Sequence, residues 1–78
     1  MRIAGYIQDP KFRITVFTLD DKYMIQLEAG PMIQSFKISK EEITGLEEIE
    51  KLVKSDKLYT QIYENFNNLY LALEEAKK

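Results

Sequence analysis

Cysteine and histidine are both missing from this 78-residue chain. Without Cys there is no disulfide framework and no thiolate nucleophile. Without His the chain lacks the usual general base near neutral pH and the commonest metal ligand. Together the two absences exclude ordinary zinc sites, Ser-His-Asp triads and Cys-His dyads. The three glycines stand alone at positions 5, 30 and 45, so no Gly-rich loop is available to cradle a phosphate. Long apolar runs are absent too. The N-terminal stretch Met1-Arg2-Ile3-Ala4-Gly5-Tyr6 has neither the form of a signal peptide nor that of a membrane span. These absences lead to the expectation of a small cytoplasmic domain, not an enzyme, with no cofactor, no metal site and no membrane contact.

Charge is present but lopsided. The net charge is −2. Residues 1–38 hold five Lys/Arg and four Asp/Glu, whereas residues 39–78 hold six and nine. The first half is near neutral and the second acidic. A field of this sign does not attract nucleic acid.

The strongest positive signal is alternation in the first half. Ile3, Gly5 and Ile7, then Phe12, Ile14 and Val16, then Tyr23, Ile25 and Leu27, then Phe36 and Ile38 fall at every second position. Side chains on a strand point to opposite faces with that period. Breakers separate the runs at Asp9-Pro10-Lys11, Asp20-Asp21 and Ala29-Gly30-Pro31. The runs predict strands over 2–8, 12–19, 22–28 and 32–38. With two-residue loops, Ile7 falls opposite Phe12, Val16 opposite Ile25, and Ile25 opposite Phe36, all on one face. A one-residue slip would expose a whole strand's apolar set, so the shared phase argues for an antiparallel meander.

After residue 38 the period changes to about 3.6, the repeat of a helix. Thr44 and Glu47 have capping-box spacing ahead of Leu46, Ile49, Leu52 and Val53, which predicts a helix over 45–54. Ser39-Lys40-Glu41-Glu42 is a competing start. Ser55-Asp56 opens a longer helix over 56–76, with Leu58, Ile62, Phe66, Leu69 and Leu73 as its stripe. The expected fold is α+β, ββββαα, in one domain over 1–78, with both helices on one face of the sheet.

Two surfaces are candidates for function. The open face of the sheet is expected to carry Arg2, Tyr6, Arg13, Phe17, Met24 and Lys37, with Phe17 opposite both Arg2 and Met24. Aromatic rings beside cations on an open sheet suit stacking of bases in single-stranded nucleic acid. The plainer reading is an ordinary solvated face or a protein contact. The second surface is the end of the long helix. About 20 residues at 1.5 Å each outreach a strand of about seven residues by more than one turn. Yet Leu69, Tyr70, Leu71 and Leu73 continue apolar to that end. A symmetric pair of chains would bury them. The expected partner is therefore a second copy or another protein, with nucleic acid disfavoured by charge. The carboxylates Glu41, Glu42, Glu47, Glu48 and Glu50 read as a solvated helix start, not a hard-metal site. Tyr59, Tyr63 and Tyr70 read as residues at the rim of a core.

Overall fold

A computed structural model describes residues 1–78. Four strands, β1 (Arg2–Ile7), β2 (Arg13–Thr18), β3 (Lys22–Ala29) and β4 (Met32–Ser39), are followed by α1 (Leu46–Val53) and α2 (Asp56–Ala76). The strands form one antiparallel sheet in the order β1-β2-β3-β4. The fold is the expected α+β meander with two helices.

The second and third hairpins have the two-residue loops that the alternation demanded. Val16 pairs with Ile25 and Ile25 with Phe36. Asp20-Asp21 makes the first of these turns, where the Leu19 amide donates to the Lys22 carbonyl at 2.8 Å. Gly30-Pro31 makes the other, with φ +60° at Gly30. Pro31 cannot adopt positive φ, so the positive dihedral falls on the glycine, as a primed hairpin turn with one such residue requires.

The first hairpin departs from expectation in two ways. Its loop runs over Gln8–Phe12, and Ile7 pairs with Ile14, not Phe12. That shift is two residues, an even number, so Ile7 still faces the core. A bulge at Ala4 then shifts the register by one: Gly5 pairs with Val16, but Ile3 pairs with Phe17 and Arg2 with Thr18. An odd shift reverses the faces. Ile3 is thereby sent to the open face, and Arg2 to the side that carries Thr18. Gly5 lies under α1, where a Cβ would stand 2.6 Å from Leu46 Cδ1. The absence of a side chain there lets helix and strand approach closely.

The helical face of the sheet and the two helices share one core. Ile14, Val16, Ile25 and Leu27 lie under Ile49, Val53, Ile62 and Phe66, with Ile7, Phe12, Met32 and Ile43 closing its margins. Phe36, expected to be nearly fully buried, is only half-buried, as are Tyr23 and Ile38. Ile49 and Val53 are wholly buried, each worth about 1.5–3 kcal/mol relative to exposure. Leu46 and Leu52, expected on the same stripe, lie at its edge and are 37% and 38% exposed.

Capping differs in detail from the sequence pattern. Gly45, not Thr44, is the N-cap of α1, and its backbone at φ 94° and ψ 170° is open to glycine alone. Glu48, not Glu47, reaches back, accepting from the Thr44 amide at 3.1 Å. Ser55 stands at the N-cap of α2 but donates its hydroxyl to Leu52 O, finishing α1 instead. The competing start at Ser39 makes a turn, with the Glu41 amide donating to Ser39 Oγ.

Candidate functional site

The loop between β1 and β2 is fastened to α2 by a compact set of contacts. Asp9 Oδ1 accepts from the backbone amides of Lys11 and Phe12 at 2.8 and 3.1 Å, and from the Tyr59 hydroxyl at 3.1 Å. The Phe12 ring lies 5.4 Å from Tyr59, 6.5 Å from Tyr63 and 5.1 Å from Phe66. Lys11 Nζ stands 4.5 Å from the Tyr63 ring centre. Burial, then the hydrogen bond and the negative charge of Asp9, raise the Tyr59 hydroxyl above its usual pKa of 10.0. Two of the three helix tyrosines thus act as a latch. The residue that gathers them, Phe12, was read as part of a strand. Its place three residues after an Asp-Pro turn was the available signal.

A second fastening joins α2 to β4. Gln34 Nε2 donates to Ile62 O at 3.1 Å, and Asn65 Nδ2 donates to Gln34 Oε1 at 3.3 Å. The N-terminal half of α2 therefore crosses the end of the sheet where β1 turns into β2 and where β4 begins. Phe66 is the last buried residue of the helix. Beyond it no hydrogen bond ties α2 to the rest of the chain. Leu69, Tyr70 and Leu71 are 47%, 49% and 64% exposed, while Leu73 packs on the margin of the core. This tail carries Glu74 and Glu75 with no cation before Lys77.

The open face of the sheet has a short row of Lys22 and Ser39 and three longer rows across its strands. Ile3, Phe17, Met24 and Lys37 form one, Tyr6, Thr15, Gln26 and Ser35 the next, and Arg13, Glu28 and Ile33 the third. Of the expected residues, Tyr6, Arg13, Phe17, Met24 and Lys37 lie on this face. Arg2 does not: the Ala4 bulge puts it opposite Thr18. Ile3 takes its position beside Phe17, and Ile33 is a further apolar residue that the alternation did not bring forward. Ile3 and Tyr6 are 53% and 62% exposed, whereas Phe17 and Met24 are half-buried by their neighbours. Beside Lys37, at the sheet end where β1 starts, Arg2, Lys22, Asp20 and Asp21 line an open depression of about 560 Å³. None of these five charged groups is within an ion pair; the two ion pairs of the chain are Lys54–Glu50 and Lys77–Glu74.

The acidic residues around α1 remain dispersed. Glu50 pairs with Lys54 at 3.2 Å and Glu48 holds the helix start. No three carboxylates converge as metal ligands would. Comparison with protein families, with curated proteins and with solved structures gives no match. No helix is long and apolar enough to cross a membrane.

Proposed function

We propose that the protein is a non-enzymatic interaction domain that associates with a second copy of itself through the C-terminal half of α2. One observation carries this reading. The apolar side chains of α2 continue past Phe66, where only Leu73 still packs on the margin of the core and Leu69, Tyr70 and Leu71 stand exposed. Apolar surface left in water in this way is the mark of a contact surface. Sedimentation of the wild type against Leu69→Asp and Leu71→Asp tests it. The wild type dimerises, and each Asp variant sediments as a monomer with an unchanged fold. A wild type that stays monomeric at hundreds of micromolar rejects the reading.

A second reading is single-stranded nucleic acid on the open face. Tyr6 and Phe17 beside Arg13 and Lys37 favour it, and the net charge of −2 opposes it. Fluorescence anisotropy with mixed-sequence oligonucleotides at low salt separates the two. Binding that falls steeply with salt, and weakens in Phe17→Ala, would support the second reading.

A further inference from the structure

The tail of α2 is too small to hold two chains together by itself. Leu69, Tyr70 and Leu71 expose roughly 300 Å² of apolar surface between them, or about 600 Å² for two tails, against the 1,000 Å² or more that a specific interface buries. Something else must be covered with it. The open sheet face is another apolar surface, and its exposed Ile3 and Tyr6 with the half-buried Phe17 and Met24 offer about as much again. A tail laid on a face, twice over in a reciprocal pair, reaches roughly 1,300 Å², a standard interface.

Charge points the same way. The tail carries Glu74, Glu75, Lys77 and Lys78, with Glu74 and Lys77 paired to each other, and the negative end of the helix dipole. Glu75 has no partner in the chain, since Lys77 pairs with Glu74. The apolar row Ile3–Phe17–Met24 ends at Lys37, which is likewise unpaired; Lys22, and Arg2 from the far edge strand and the other face, line the same open depression. Asp20 and Asp21 share that depression and offset part of its positive charge. Face against face would leave the tails in water.

We infer that the tail of α2 in one copy lies across the Ile3–Phe17–Met24 row of a second copy, with Glu75 toward Lys37, and that the contact is reciprocal. This rests on the proposed self-association and names the surface that receives the tail.

The test uses two variants that damage opposite halves of the contact. Leu71→Asp spoils the tail and leaves the face intact. Ile3→Asp spoils the face and leaves the tail intact; Ile3 sits half in water on an edge strand, so the fold survives, which circular dichroism verifies. Phe17→Asp serves as a second face variant. In sedimentation equilibrium each variant alone is expected to weaken the dimer at least tenfold. A one-to-one mixture of Leu71→Asp with Ile3→Asp restores one undamaged contact and associates more tightly than either variant alone. If Leu71→Asp is monomeric while Ile3→Asp and Phe17→Asp dimerise like the wild type, the tail pairs elsewhere: the inference falls and self-association stands. If both variant types dissociate and the mixture regains nothing, the contact is not tail on face. A monomeric wild type removes both.

Discussion

Ile25 and Ala4 mark the two ends of what one position does in this sheet. Ile25 is wholly buried, with Val16 opposite on one side and Phe36 on the other. Truncation to Ala leaves a cavity in a core that has no spare residues. Chemical denaturation of Ile25→Ala is expected to show a loss of about 2–5 kcal/mol, a large share of the stability of a domain this small. Ala4 adds one unpaired residue to β1, and that alone moves Ile3 out of the core. Gly45 is the position where backbone strain decides. Its φ of 94° lies where an L side chain is strained, so Gly45→Ala is expected to cost about 1–3 kcal/mol, read as a lower midpoint in urea. Tyr59 gives the chain a pH dependence. Its hydroxyl is held protonated in the folded state by burial and by Asp9, above the 10.0 of the unfolded chain. Between those two values the unfolded state binds fewer protons, so stability falls as pH rises. The contribution is complete below about pH 10 and is lost as pH climbs through the folded value. Tyr59→Phe is expected to flatten this alkaline loss in thermal melts recorded from pH 8 upward.

At the scale of elements, the latch and the hairpins separate what pattern can show from what it cannot. Asp9→Ala removes three hydrogen bonds at once, two within its own turn and one to Tyr59. With each worth about 0.5–1.5 kcal/mol net, the expected loss is about 1.5–4.5 kcal/mol. Hydrogen exchange would show it at Lys11 and Phe12 first, because their amides lose their acceptor. The bounds of α2 were legible from spacing alone, since its stripe recurs at three and four residues and its start is marked by Ser55-Asp56. So were the two short hairpins, because their loops have too few residues for any other register. The first hairpin was not. Five residues lie between β1 and β2, and a loop of that length does not dictate which pair of residues meets. Tertiary contact chose, through Phe12 and Asp9 on α2. Caps were legible only to within one residue, because Gly45 and Thr44 compete for the same helix start.

Across the whole molecule, the exposed end of α2 and the open sheet face set how the chain meets its surroundings. The longest dimension is 44 Å, against 26 and 19 Å for the others, so the chain is elongated for its size. An elongated shape with an apolar tail and an open sheet gains from pairing, because a 78-residue chain buries only about 60% of its unfolded surface. Thermal melts are therefore expected to shift upward with protein concentration, while Leu71→Asp melts at one temperature throughout. The amino-acid order was sufficient for the sheet, the meander and the long helix, because period and phase are local properties that recur along each segment. Length alone led to the expectation that the end of α2 stands clear of the sheet; in the structure Leu69, Tyr70 and Leu71 are exposed while Leu73 still packs on the core margin. Two things depended on the assembled chain: the bulge that exchanges Ile3 for Arg2 on the open face, and the latch around Phe12. Each is set by which strand or helix lies beside which residue. A single odd shift in pairing changes the face of every residue beyond it, and nothing in the alternation of β1 records that the shift occurs.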